Sequence, residues 1–240
     1  MRSAIVTGGS GEIGSAICRK LCESGYSVAV CYNTDKAGAE ELVRVLTSEG
    51  YTAEAVACDV RDECQIISAV EKAASMGELS VAVNCAGISL FAQIQDTSSD
   101  ALQDIFSVNS IGAYLVCREA AKHMIPLHSG RIVSVSSMWG VSGGSCESAY
   151  SASKSALTGM TKALAKELGP SGITVNCVAP GLIDTKMNSR LSPADISALI
   201  EDTPAGRIGT AEDVADAVMF FCDSPFITGQ VLCVDGGFTL

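Results

Sequence analysis

The sequence predicts an α/β protein built as one doubly wound parallel sheet with helices on both faces, and three observations carry that expectation. Short β-branched and apolar runs alternate with longer helical patterns from end to end, the order that builds right-handed strand–helix–strand crossovers. Most of those runs are continuously apolar rather than alternating, as strands covered on both faces are. The 240 residues are 48% hydrophobic and 18% charged, a length suited to one α/β domain and a composition too apolar for disorder.

Seven strands are expected. The first, 4–6, is Ala-Ile-Val and runs directly into a glycine-rich turn; the second, 27–32, is Ser-Val-Ala-Val-Cys-Tyr. The third is 53–57 and the fourth the short Val-Ala-Val of 81–83. The fifth, 131–136, the sixth, 174–178, and the seventh, 231–234, each hold two Val. Helical patterns at 13–24, 36–48, 62–75, 100–123, 148–168 and 211–221 fall one in each of the six connections. No linker, repeat or low-complexity tract divides the chain, so 1–240 reads as a single domain. The longest irregular stretch, 182–210, holds Pro193, Pro204, Gly206 and Gly209; inside a compact domain such a stretch is a lid or binding loop more often than a boundary.

Composition excludes several function classes. Sixteen Lys and Arg against 27 Asp and Glu give a net charge of −11, the opposite of the basic stripe that nucleic acid or an anionic membrane attracts. The eleven cysteines are odd in number and scattered from Cys18 to Cys233 without a C-x-x-C pair, which favours a reducing cytoplasm over a disulfide framework. With only His123 and His128 and no cysteine cluster at ligand spacing, no metal site is expected. No signal-length or bilayer-spanning apolar run is present.

The first strand ends in Thr7-Gly8-Gly9-Ser10-Gly11-Glu12-Ile13-Gly14, with a helix to follow. Gly9, Gly11 and Gly14 satisfy G-x-G-x-x-G in the strand-then-helix context the motif requires, which makes the sheet Rossmann-type. Glycines let the backbone approach a pyrophosphate, and the free N–H groups of the helix favour its charge. The second strand ends Cys31-Tyr32-Asn33-Thr34, with Asp35 late. A carboxylate at its tip would accept from the ribose hydroxyls of NAD; its absence leans the expectation towards NADP(H), with Asn33 in its place. Asp59, at the end of the third strand, either accepts from an adenine amine or is a turn or N-cap residue.

At the other end of the expected cleft, Tyr150 and Lys154 stand four apart in the helix after the fifth strand, and so project from one face. Ser137 follows that strand, where the carboxyl ends of the sheet form the ligand crevice. A phenol of pKa near 10 becomes a useful base at neutral pH only if lowered by about three units, roughly 4 kcal/mol. An adjacent ammonium typically supplies one to three of those units. Tyr150 then exchanges a proton with a substrate oxygen that Ser137 hydrogen-bonds. Asn109 falls inside the helical pattern 100–123 beside Gly112, both poor helix formers. A buried amide there must find partners, either a water-mediated link to Lys154 or a helix–helix hydrogen bond.

Together these residues resemble the short-chain dehydrogenase/reductase family over essentially the whole chain. Thr7-Gly8 through Ile13-Gly14 is similar to its T-G-x-x-x-G-x-G loop, Asn84-Cys85-Ala86-Gly87 to its N-N-A-G, and Val234-Asp235-Gly236-Gly237 to its closing strand. Asn109, Ser137, Tyr150 and Lys154 match its catalytic tetrad in order and spacing. Glu12 departs from the pattern in place of the second loop glycine, and Cys85 in place of the second Asn. The resemblance implies seven strands, a dimer or tetramer, and hydride transfer between NAD(P)(H) and a carbonyl or alcohol. Cofactor contacts are implied at Gly8, Ser10, Gly11, Glu12, Ile13, Gly14, Asn33, Asp59, Val60, Asn84, Ala86, Gly87, Tyr150 and Lys154, and along Pro180, Gly181, Ile183 and Thr185.

For the substrate, small-molecule or carrier-linked, several readings stand. Ile173-Thr174-Val175-Asn176 and Ala205-Gly206-Arg207 resemble 3-oxoacyl-acyl-carrier-protein reductases, although His128 and Ser171 occupy the positions where those enzymes place basic docking residues. Ser137-Met138-Trp139-Gly140 and Ser145-Cys146-Glu147 resemble reductases of 5-aminopentanone-modified elongation factor P. There Trp139 and Glu147 would meet a cationic group, unless Trp139 packs in the core and Glu147 caps the helix. Hydroxysteroid oxidoreduction is a third reading. A dinucleotide-sensing protein without turnover is a fourth, against which the complete tetrad argues. In each case the loops 138–149 and 182–210 would border the substrate.

Overall fold

The computed structural model describes residues 1–188 and 191–240. Seven parallel strands form one sheet: β1 (Arg2–Thr7), β2 (Tyr26–Tyr32), β3 (Ala53–Ala57), β4 (Glu78–Asn84), β5 (Gly130–Val135), β6 (Ile173–Pro180) and β7 (Val231–Val234). They lie in the order β3-β2-β1-β4-β5-β6-β7. The order reverses beside β1, whose last residue Thr7 pairs with Asn84, the last of β4. Ligands of such sheets enter the crevice beyond the carboxyl ends of the strands at this switch point.

Helices cover both faces, and the strands show why. Ala4 and Val6 of β1 pack with Ile17, Leu21, Val214 and Phe221 on one side. Ile5 between them packs with Ile66, Val116, Ile132 and Leu168 on the other. All eight residues of β6 are buried, and each fully buried aliphatic side chain contributes about 1.5–3 kcal/mol. Both faces of β6 are covered, with Ile173 and Val175 in one apolar cluster and Val178 in the other.

The helices start where side chains accept from their free N–H groups. Asp35 begins α2 (Lys36–Ser48), Asp62 begins α3 (Glu63–Ser75), and Ser98 begins α4 (Ser99–Phe106). Ser192 and Thr210 begin α8 (Pro193–Glu201) and α9 (Ala211–Asp223) through capping boxes with Asp195 and Asp213. Neither α1 (Glu12–Glu23) nor α7 (Ser148–Leu168) has a side-chain cap, and the N-termini of both meet the cavity described below.

Three sequence expectations are corrected here. The continuous helix 100–123 is broken into α4, a π-helical turn at Ser107–Gly112, and α5 (Ala113–Met124). Asn109 sits in that turn, its amide donating to the Ile88 carbonyl and the Ser153 hydroxyl. The stretch 182–210 is not irregular throughout, since it contains α8 and a 3-10 turn at Lys186–Asn188; Ser189 and Arg190 within it lie outside the described residues. The loop 138–149 likewise includes α6 (Trp139–Ser142). No described helix is long and apolar enough to cross a membrane.

Candidate active site

A cavity of about 800 Å³ opens at the carboxyl ends of β1, β4, β5 and β6. The glycine loop, the β4 and β5 ends, the head of α7 and residues within 180–188 and 191–199 line it. Local geometry dictates the glycines. Gly8 has φ +65, and a Cβ there would stand 2.9 Å from the Ala86 backbone. A Cβ on Gly14 would stand 2.1 Å from the Gly8 carbonyl oxygen. The loop therefore closes against β4 and α1 with room for backbone alone. Thr7 ties it down, its hydroxyl accepting from the Cys85 and Ala86 N–H groups at 3.2 and 3.3 Å.

Ser137, Tyr150 and Lys154 face the same space. Tyr150 is 8% and Lys154 5% exposed. The ammonium donates to the Val135 carbonyl at 2.8 Å and lies 5.9 Å from the centre of the Tyr150 ring. Burial pushes the Lys154 ammonium below its ordinary range. Neighbouring Cys85 is pushed up to about 11, again chiefly by burial, so it stays a neutral thiol and does not compete as a counter-ion. Ser137 accepts from the Trp139 N–H at 3.2 Å. The Ser136 hydroxyl, which donates to the Lys154 carbonyl at 2.9 Å, pins α7 to the end of β5 and sets the position of both side chains.

The structure brings together Gly8, Gly11, Glu12, Ile13, Gly14, Ala86, Gly87, Ser137, Tyr150, Lys154, Pro180, Gly181, Ile183 and Thr185 around this one cavity. Ser10, Asn33, Asp59, Val60, Asn84 and Asn109 are outside its lining. Asn109 is 1% exposed. Its oxygen accepts from the Ile88 N–H at 2.8 Å, and its amide donates to the Ile88 carbonyl at 2.9 Å and the Ser153 hydroxyl at 3.0 Å. That amide cross-links the β4 loop to α7. A Cβ on Gly87 would stand 3.1 Å from the Lys154 ammonium and 3.3 Å from the Asn109 oxygen.

Asn84 donates to Cys117 Sγ and Ser134 Oγ at 3.1 and 3.2 Å, while its buried oxygen has no hydrogen-bond partner among the described residues. Asp59 is gripped by the Arg61 guanidinium, 2.7 Å away, which also reaches Asp104 at 2.9 Å. The Arg61 side-chain hydrogen bond is the main reason the Asp59 carboxyl lies below its ordinary range. Asp59 also accepts from the Arg61 N–H, the turn geometry. Val60 is buried, and its carbonyl would stand 2.6 Å from a Cβ on Gly112. Asp35 accepts from the Gly38 N–H at 3.0 Å as the cap of α2.

The lining also carries apolar side chains, Phe91, Trp139, Leu182, Met187, Leu191 and Leu199. The Trp139 ring meets Phe238 edge-on at 5.5 Å and packs beside Ile105 and Ala149. Glu147 occupies the N-cap position of α7 without a side-chain cap bond, and lines the cavity. His128 and Ser171 lie just before β5 and β6, at the opposite end of the sheet. Sequence reasoning missed Leu191, Ala198 and Leu199. Ser192-Pro193-Ala194-Asp195, a capping box with Pro at the first helical position, was the readable sign of the helix that presents the last two.

Residues 9–239 match the family model described as Enoyl-(Acyl carrier protein) reductase. The chain is 37% identical to carbonyl reductase family member 4 of Danio rerio, over 100% of this chain and 98% of that one. It is 36% identical to 3-oxoacyl-[acyl-carrier-protein] reductase of Chlamydia muridarum, over 98% and 96%. Among solved structures, a blue fluorescent protein from a metagenomic library, in complex with NADPH, superposes with a TM-score of 0.91 at 36% identity, covering 99% of this chain and 97% of that one.

Proposed function

The chain belongs to the short-chain dehydrogenase/reductase family of oxidoreductases, and on that premise we propose that it transfers hydride between NADP(H) and a ketone or secondary alcohol, with Tyr150 as the proton-transferring residue. The observation that carries this reading is the convergence of Tyr150, Lys154 and Ser137 with the glycine loop on one cavity.

A dinucleotide fits the residues present. The loop is a cradle that Cβ atoms on Gly8 or Gly14 would fill, and the uncapped first turn of α1 offers N–H groups to a diphosphate. Gly8, Gly11, Ile13 and Gly14 would hold the phosphates, with Pro180, Gly181, Ile183 and Thr185 beside the nicotinamide. Such a cofactor supplies or accepts the hydride. Tyr150 gives a proton to the substrate oxygen during reduction and takes it back during oxidation. Lys154, held in place by Val135, favours the ionised phenol through its charge. Ser137 hydrogen-bonds the substrate oxygen where negative charge develops. Asn109 acts at a distance, fixing the loop at Ile88 and α7 at Ser153.

NADP(H) is favoured because Asp35, the first carboxylate after β2, is engaged in capping α2. That leaves Asn33 and Thr34 exposed at the strand end. The substrate is read as a ketone with an apolar arm set against Phe91, Trp139, Met187 and Leu199. Among the described residues lining the cavity, three carboxylates (Glu12, Glu147, Asp195) accompany one ammonium, which is buried. This balance disfavours docking of a strongly acidic carrier. A 3-oxoacyl group on a small thioester remains compatible with it.

The test follows nicotinamide absorbance over a panel of neutral ketones, aminoketones and 3-oxoacyl thioesters, free and carrier-linked. NADPH should exceed NADH in kcat/KM by at least about tenfold, the effect of roughly 1.4 kcal/mol. NADH equal or better overturns the cofactor assignment. No turnover of any ketone or of the matching alcohols overturns the enzymatic reading in favour of a dinucleotide-binding protein.

The same reading implies a homo-oligomer. Ile111 and Tyr114 are 54% and 52% exposed beside a hollow of about 300 Å³ formed with Ala156, Leu157 and Met160, an apolar face that a second copy would cover. Ile111→Glu should lower the mass measured by light scattering from that of a dimer or tetramer towards the monomer. A monomeric wild type, or an unchanged mass in the variant, overturns this contact.

A further inference from the structure

We infer that Glu12 is a positioning residue that ties the strap 184–188 to the glycine loop and limits how tightly the loop holds a diphosphate. The strap leaves the sheet through a fixed stem. Gly209 donates to the Leu182 carbonyl at 2.8 Å and accepts from the Asp184 N–H at 2.9 Å, and it bridges Ile183. Asn188 folds the strap back on this stem, its amide donating to the Ile183 carbonyl at 2.7 Å. At the far side, the Lys186 N–H donates to the Glu12 carboxylate at 3.3 Å, across 174 residues of chain. Among the hydrogen bonds of the described residues, this one alone joins the strap to the glycine loop.

Glu12 stands in the first turn of α1, where the helix end favours an anion. It also lines the cavity beside Gly8, Gly11 and Gly14. Carboxylate and diphosphate are therefore two anions drawn to one helix end, and the carboxylate raises the cost of placing the second. A glycine in its place, as in the T-G-x-x-x-G-x-G pattern, would remove both the repulsion and the tie. Glu12→Gln separates the two effects, since its carbonyl oxygen still accepts from Lys186 while the charge is gone.

The tie is measured without cofactor, by hydrogen exchange with mass spectrometry. Glu12→Gly should speed exchange in peptides covering 184–188 by roughly tenfold, the loss of one local closing contact, with α9 peptides unchanged. Glu12→Gln should exchange like wild type. Strap exchange equal to wild type in Glu12→Gly overturns the tie. The charge effect is measured by NADPH fluorescence titration, where Glu12→Gln should bind about three- to tenfold more tightly. Unchanged or weaker binding overturns it. Steady-state assays should then give Glu12→Gly a higher ketone KM than Glu12→Gln, and equal values overturn a role for the tie in holding the substrate side of the cavity. Only the titration and assay arms rest on the proposed dinucleotide site. A wild type that binds no dinucleotide overturns that site and the charge effect together, while exchange still decides the tie.

Discussion

Replacing Tyr150 by Phe is expected to lower kcat for any ketone the protein reduces by about a thousandfold, within the 10²–10⁴ span of a positioned proton donor and equal to about 4 kcal/mol of barrier. The rest of the protein should hardly respond. The Tyr150 ring packs against Ile105 and Ala149 in a small apolar cluster, and Phe keeps that ring. Lys154 retains its bond to Val135. NADPH affinity should therefore stay within about threefold of wild type, under 1 kcal/mol, and the thermal midpoint within a few degrees. A variant that keeps more than a tenth of wild-type kcat removes Tyr150 from the proton-transfer role. A variant that loses activity and cofactor binding together assigns Tyr150 to binding instead.

The second large effect is expected at Gly14. A Cβ there would meet the Gly8 carbonyl oxygen at 2.1 Å, the Gly8 carbonyl carbon at 2.8 Å and the Gly9 α-carbon at 2.9 Å. All three are backbone atoms, so no side chain can swing aside. Gly14→Ala must push α1 away from the loop, against the packing of Ile17, Cys18 and Leu21 beneath β1 and β2. Overpacking of this kind costs about 3 kcal/mol, or a fall of about 6–12 °C in thermal midpoint for a chain of this length. NADPH affinity should drop by at least tenfold, because the N–H groups of α1 no longer converge with the loop. Gly11 is the control. A Cβ there meets nothing closer than 3.4 Å, so Gly11→Ala should shift the midpoint by less than about 3 °C, one kcal/mol or less. Equal effects at the two positions would refute the close-approach account.

The sequence made the sheet legible because its interior strands β1, β2, β4, β5 and β6 are buried along nearly their whole length and carry short runs rich in Val, Ala and Ile. The 148–168 helix and the 231–234 strand appear with the expected bounds. The glycine loop was legible because only backbone fits at Gly8 and Gly14. The break at Asn109 was visible only as a poor helix former. The partners that orient it, Ile88 and Ser153, are 21 and 44 residues away, and no local pattern connects them. Asp59 left two readings open. The observed contact with Arg61, two residues on, engages its oxygens in a turn and turns on which rotamer the arginine adopts.

By itself, then, the sequence determined the seven strands and their order along the chain, the place of the glycine turn, and the spacing of Tyr150 and Lys154 on one helix face, because each depends on neighbours a few residues apart. Tertiary structure alone decided the rest. It set α7 against the end of β5 so that Ser137 shares a cavity with Tyr150. It carried α8 over that cavity from a stem at Gly209. It brought Lys186 to Glu12, a contact whose closure over 174 residues is stabilised by the whole packed sheet rather than by any segment of chain.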